Sequence, residues 1–160
     1  MDKTRIQIRL ATLAEASEIA TVLDLAFVPF RELYTPDAYS ATTPDSEVIS
    51  KRWAEGPVWV AIRDNNIVGT VAAVPKHEGL YIRSMAVLPT ERGNGIGKQL
   101  LETVEHFARE QGFGRLFLST TPFLLAAIRL YENFGFQRAE DVRGGLFGTP
   151  LFQMEKKVAA

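Results

Sequence analysis

Hydrophobic and polar positions along the chain keep a regular spacing whose period changes from segment to segment. Ile6, Ile8 and Leu10 alternate with Arg5, Gln7 and Arg9, the period of a strand with one face buried. The spacing then lengthens. Leu13, Ala16, Ile19, Ala20, Leu23 and Phe27 recur at helical intervals, so a helix with one apolar stripe is predicted. Thr12 and Glu15 stand where a capping box would start it, and Pro29 should end it, because proline cannot continue the helical ladder. From Phe30 to Pro44 no period holds, and aromatic and turn residues dominate: Phe30, Tyr34, Pro36, Tyr39, Pro44. This segment reads as irregular. A second helix is predicted from about Pro44 to Glu55, with Val48, Ile49 and Trp53 turned inward.

Val58–Ile62 and Ile67–Val74 are dense in β-branched and aliphatic residues and read as strands. Asp64-Asn65-Asn66 between them is a hairpin signal, and Pro75–Gly79 makes the next turn. A third strand follows, with Tyr81, Ile82, Met85, Val87 and Leu88 as its apolar positions, stopped by Pro89. Ile96, Leu100, Leu101, Val104, Phe107 and Ala108 then mark a long amphipathic helix, with Gly112 and Gly114 as its stop. Leu116–Leu118 is a short strand. Another helix is predicted from near Pro122 to Gly135, carrying Leu124, Leu125, Ala127, Ile128 and Leu130. Phe136–Val142 and Leu151–Val158 read as two last strands, joined by a loop with Gly144, Gly145, Gly148 and Pro150.

Composition narrows the functions open to such a chain. At 160 residues it is read as one domain, 1–160, with enough apolar sequence, 46%, for a substantial core. A net charge of −1 gives no basic footprint for nucleic acid. With no cysteine there is no disulfide, thiolate metal site or cysteine nucleophile, and no metal is expected. No apolar run reaches membrane-spanning length. Met1–Arg5 leads into a charged strand rather than the apolar core of a signal peptide. A cytoplasmic protein without membrane or nucleic-acid partners is expected.

The chemistry is concentrated where the third strand meets the long helix, at Arg92-Gly93-Asn94-Gly95-Ile96-Gly97-Lys98. Glycine accepts backbone angles closed to other residues and lets a ligand approach closely. The first N–H groups of a helix lack intrahelical partners and lie at its positive end, so this turn suits a phosphate, with Arg92 and Lys98 adding charge. A Walker loop is excluded. Gly93 and Gly97 are separated by three residues rather than four, and Gln99 stands where a magnesium-binding hydroxyl would be. In the dinucleotide fingerprint the third glycine would come one residue later. A glycine-rich helix start without a ligand remains the alternative.

The loop resembles the acetyl-CoA loop of the GCN5-related N-acetyltransferase (GNAT) family, Arg/Gln-x-x-Gly-x-Gly/Ala. The strand that precedes it, Met85-Ala86-Val87-Leu88-Pro89, and a C-terminal Leu130-Tyr131-Glu132-Asn133-Phe134-Gly135-Phe136 are similar to the family's other signatures and stand in the same order. The resemblance implies an α/β fold, a mixed central sheet flanked by helices in the order β-α-α-β-β-β-α-β-α-β-β. It implies transfer of an acetyl group from acetyl-CoA to an amine of a small molecule or protein. Residues 93–98 would bind the pyrophosphate and Met85, Ala86 and Val87 the pantetheine arm. An N–H of Met85 or Val87 would stabilise the oxyanion, and Tyr131 would protonate the departing sulfur. The family often has Asn seven residues before this tyrosine; here it is Leu124.

Residues for the acceptor are less marked. Glu78, beside His77, precedes the central strand where the family sometimes places a glutamate that acts as base; a polar turn is the alternative. His106 and Arg129 read as solvated helix residues. Phe27, Phe30, Arg31, Tyr34, Tyr81, Phe147 and Thr149 are candidates for walls of the acceptor site, with core packing as the competing role for the aromatics. A homodimer is left open. A non-catalytic acyl-CoA-binding module would need only the loop, whereas an enzyme also needs Tyr131 and an acceptor pocket.

Overall fold

A computed structural model describes residues 5–159 of the chain. The sequence reading of Met1–Thr4 lies outside the described residues. Seven strands form one mixed sheet in the order β1-β2-β3-β4-β5-β7-β6. They are β1 (Gln7–Leu10), β2 (Val58–Arg63), β3 (Asn66–Lys76), β4 (Gly79–Val87), β5 (Arg115–Thr120), β6 (Gln137–Asp141) and β7 (Phe152–Lys157). The helices are α1 (Ala16–Phe27), α2 (Pro36–Thr42), α3 (Ser46–Lys51), α4 (Ile96–Gln111) and α5 (Leu125–Phe134).

Period-two patterning sends alternate side chains of one strand to two different cores. On β2, Trp59 and Ala61 join α4 and α5, whereas Val60 faces α1. Ile19, Val22, Leu23 and Ala26 of α1 and Ile49 of α3 fill one cluster. Leu100, Leu101 and Val104 of α4 are fully buried in the other, beside Leu116, Leu118 and Met154. Each such aliphatic side chain contributes roughly 1.5–3 kcal/mol by burial, so α4 is fixed firmly against the sheet and its N-terminus has a fixed position. Lys156 Nζ of β7 donates to buried Glu105 of α4 at 2.6 Å and tightens the same contact.

Several element boundaries differ from the sequence reading, each for a local reason. Leu10 ends an edge strand and is 59% exposed rather than inward-facing. Phe30–Pro44 is not irregular throughout. A 3-10 turn covers Val28–Leu33, and α2 begins after Thr35, whose Oγ1 accepts from the Ala38 N–H at 3.3 Å, with Pro36 in its first turn. Those caps act without any apolar period, so periodicity did not reveal them. The second predicted helix is shorter: Asp45 caps α3, and Arg52–Glu55 tighten into a 3-10 turn. Pro75 lies within β3 rather than in the turn. Ala73 N–H donates to Pro57 O at 3.0 Å, and two residues further β2 has ended, so the N–H that proline lacks has no ladder to serve. α5 starts at Leu125, since Leu124 N–H closes a turn onto Thr121 O at 3.2 Å.

The β2–β3 hairpin forms as expected. Asp64 and Asn65 both have positive φ, 50° and 65°, the two-residue turn that matches strand twist. β2, β3 and β4 make the antiparallel meander, and β4 and β5 are parallel.

Two irregularities in β4 position the site. Its ladder with β5 is confined to Leu80↔Leu116 and Tyr81↔Phe117, after which the two strands diverge. On its other side Thr70 pairs with Ala86 and Ala72 with Arg83, so Ser84 and Met85 together face Val71. This is a β-bulge, which bends and twists the strand that carries it. Ser84 takes φ +54° there, a left-handed conformation that costs a non-glycine residue about 1–3 kcal/mol.

Candidate active site

The cleft opened by the diverging strands is lined by two cavities. The first, of ≈ 400 Å³, runs from Met85, Ala86 and Val87 past Arg92, Gly93, Gly95, Ile96, Gly97 and Lys98, with Leu124, Ala127, Leu130 and Tyr131 of the α5 region as its far wall. The second, of ≈ 260 Å³, lies between β4, β5 and the α1–α3 segment. Phe27, Met85, Leu124 and Tyr131 line both.

The glycines of the loop divide into two roles. Gly93 and Gly95 have φ +85° and +78°, and a Cβ on either would meet nothing within 4 Å, so their backbone is open to a ligand. A Cβ on Gly97 would lie 2.7 Å from Leu130 Cδ2. That glycine allows α4 and α5 to approach. Gly95 is the N-cap of α4, and the first bond back to it comes from Gln99 N–H at 3.1 Å. The N–H groups of Ile96, Gly97 and Lys98 are therefore free of helical partners. Arg92 is exposed and its Nη2 donates to Ala26 O at 3.3 Å. Glu91 lines the same cavity but pairs with Arg63 at 3.1 Å.

Tyr131 is 8% exposed, and its ring packs edge-on against Phe136 at 5.8 Å. Burial, and then the neighbouring Tyr34 and Tyr81, push its hydroxyl up to about 12. It is a protonated acid throughout the neutral range. Tyr34 is also pushed up by burial, opposed by the hydroxyls of Thr121 and Thr42.

The other sequence candidates separate by place. Tyr34 and Tyr81 line the second cavity, and Phe27 lines both. Phe30 lines the first rather than the second. Thr149 is buried, and its Oγ1 accepts from Thr35 N–H at 2.9 Å. Asn94, Arg31, Phe147 and Glu78 line neither cavity. Arg31 stacks over the Tyr39 ring at 5.5 Å, and Phe147 is 62% exposed. Glu78 is exposed in the turn at the far end of β4, where its backbone oxygen accepts from Arg115 Nη1 at 3.4 Å. Neither histidine lines either of these cavities; His106 pairs with Glu110 on α4.

Sequence reasoning missed four groups. Phe123 packs between Phe30 and Tyr34, with ring centroids 6.4 and 4.9 Å away. Arg52, Arg83 and the Ser119–Thr121 run line the second cavity. Strand period could have found Arg83, two residues after Tyr81; nothing in the sequence marks Arg52. Among the described residues no cluster of His, Asp or Glu suits a metal, and no helix is long and apolar enough to cross a membrane.

A family model described as Acetyltransferase (GNAT) family matches residues 22–136. N-acetyltransferase 8B of Rattus norvegicus is 40% identical over 102 residues, 60% of this chain and 44% of that protein. N-acetyltransferase 8B of Homo sapiens is 37% identical over 86 residues, 50% of this chain and 38% of that protein. The chain thus spans less than half the length of these curated relatives. Among solved structures, the PaiA N-acetyltransferase of Thermoplasma acidophilum in complex with coenzyme A superposes with a TM-score of 0.81 at 17% identity, covering 96% of this chain and 99% of that one. A ribosomal-protein-alanine N-acetyltransferase of Brucella melitensis superposes with a TM-score of 0.73 at 26% identity, covering 94% and 99%.

Proposed function

The chain belongs to the GNAT family of acetyltransferases, and from that premise we propose that it transfers an acetyl group from acetyl-CoA to a primary amine, residues 1–160 acting as one catalytic domain. The observation that carries this reading is the meeting of two cavities at Tyr131 and the β4 bulge. Acetyl-CoA supplies the acetyl group and leaves as a thiol. The first cavity fits it: open glycines, free helix N–H groups and the charges of Arg92 and Lys98 suit a pyrophosphate. The separated edge of β4 suits an amide-bearing arm.

The backbone at Met85–Val87 donates an N–H toward the carbonyl oxygen where negative charge develops. The bulge prepares this by taking Ser84 and Met85 out of the regular ladder. Tyr131 keeps its proton at the hydroxyl for the departing sulfur. A reference thiol at ~8.5 lies well below a tyrosine at about 12, a gap worth ~5 kcal/mol at 1.36 kcal/mol per pKa unit. Tyr131 therefore acts first as a hydrogen-bond donor. Transfer completes because the same apolar burial raises the thiol. The incoming amine must arrive unprotonated. The one carboxylate among the described lining residues, Glu91, is held by Arg63, and Glu78 lies at the wrong end of β4, so the proton leaves to solvent through the second cavity.

Tyr131→Phe keeps the ring and removes the donor. The expected outcome, followed as free thiol released with a panel of amines, is a kcat lower by ~10²–10⁴-fold with CoA affinity almost unchanged. Unchanged kcat, where chemistry limits the rate, would remove Tyr131 from the reaction.

A further inference from the structure

The second cavity carries a charge that nothing among the described residues balances. Arg52, from the turn after α3, and Arg83, from β4, both line it, and no Asp or Glu is among its lining residues. Arg83 Nη1 pairs with Glu55 Oε2 at 2.9 Å, leaving its Nε buried without a partner. Arg52 makes no ion pair among the described residues. Two guanidiniums thus face one partly exposed carboxylate, an excess of one positive charge in a half-buried place. Burial and the neighbouring Arg83 both work against the charged form of Arg52, while Glu55 and Tyr81 favour it. A guanidinium is not deprotonated at neutral pH, so the site is held under repulsion that an anion would relieve.

A second group points the same way. Thr121 is 2% exposed, and its side chain lies against the Tyr34 hydroxyl, with Oγ1 otherwise unpartnered among the described residues. It lines this cavity with Ser119 and Thr120, so hydroxyl donors accompany the arginines. At the opposite wall stand Met85, Leu124 and Tyr131, shared with the first cavity. An occupant thus meets cationic donors on one side and the transfer site on the other.

We propose that the acceptor is a small amine that also carries a carboxylate, as a free amino acid does, with the carboxylate seated on Arg52 and Arg83 and the amine turned toward Tyr131. This rests on the N-acetyltransferase reading. The cationic lining rejects polyamines and lysine-rich segments. In the transfer, the amine nitrogen bonds to the acetyl carbon, the carbon–sulfur bond breaks, the sulfur takes the Tyr131 proton, the amine proton leaves to solvent, and solvent returns a proton to Tyr131.

The test compares each of the standard amino acids with its carboxamide, using the full chain. Turnover is read as thiol release. Binding is read separately, by calorimetry of the acids and carboxamides with the CoA-loaded protein. The expected result is at least one acid preferred over its carboxamide by ~30-fold or more in kcat/KM and in affinity, the low end for losing a desolvated charge partner. Arg52→Gln should collapse that preference toward one, and Arg52→Lys should restore part of it, since lysine keeps the charge but not the fork. Thermal unfolding of the variants separates this from misfolding. Carboxamides or plain monoamines used as well as acids, or a preference that survives Arg52→Gln, would overturn the proposal. If no amine is acetylated yet acids bind the CoA complex through Arg52, the carboxylate seat stands and the transfer reading falls. If no acid binds, the seat itself is refuted.

Discussion

The two cavities that share Tyr131 are built differently. The first takes most of its polar wall from one stretch, Glu91–Lys98, and acts mainly through backbone: free N–H groups and glycines with positive φ. The second draws its polar groups from Tyr34, Thr42, Arg52, Tyr81, Arg83 and Ser119–Thr121, brought together only by the fold. Backbone devices tolerate any side chain that leaves room, so they suit a ligand held through phosphates and amides. Converging side chains distinguish one acceptor from another. On the proposed reading, one molecule can thus keep a fixed donor site while its acceptor site changes by separate substitutions.

Substitutions on either side should separate the two roles. The largest effect is expected from Gly95→Asp. It forces a Cβ at φ +78° and sets a carboxylate at the helix N-terminus in the phosphate's place. Like charges brought together cost several kcal/mol, so CoA affinity by calorimetry should fall ~10²-fold or more. The fold should be kept, because a Cβ there meets no protein atom. A pair of smaller changes sharpens the contrast. Phe30→Ala should raise the KM for acetyl-CoA by ~10-fold, about 1.4 kcal/mol, and Tyr34→Ala should raise the acceptor KM by a similar factor. Both rings pack on Phe123, so equal stability losses with different kinetic signatures would place them on opposite sides. Identical kinetic effects would dissolve the distinction.

The smallest effect concerns pH. Tyr131 in the folded protein lies at about 12, above the usual 10. Its neutral form is favoured by folding, so its contribution to stability is fully present below pH ~10 and is lost as pH rises through about 12. Activity should rise as the amine deprotonates and then stay level, with no alkaline fall from Tyr131 below about 12. A falling limb near the reference tyrosine value would contradict the burial of this hydroxyl.

The same contrast governs what the sequence revealed. Gly93, Gly95 and the Leu130-Tyr131-Glu132 signature were legible because they are contiguous and chemically restricted. So were α1, α4 and the β2–β4 meander, whose apolar periods are long. Gly97 lines the first cavity, and its missing Cβ also makes room for Leu130; the spacing of glycines cannot separate those uses. α2 was missed because its caps, rather than a period, define it. The arginines of the second cavity lie 31 residues apart in the chain and meet only through the fold. Phe30 lines the first cavity and Tyr34 the second, a division that aromatic density in the sequence cannot show.

The central claim is that the donor and the acceptor meet at Tyr131, each in its own cavity. A crystal structure with CoA tests it most directly. The account predicts the pyrophosphate on the N–H groups of α4, the arm along Met85–Val87, and the sulfur within ~3.5 Å of the Tyr131 hydroxyl, with the second cavity left open for an amine. A sulfur lying far from Tyr131, or a cofactor arm filling the cavity of Arg52 and Arg83, would contradict it.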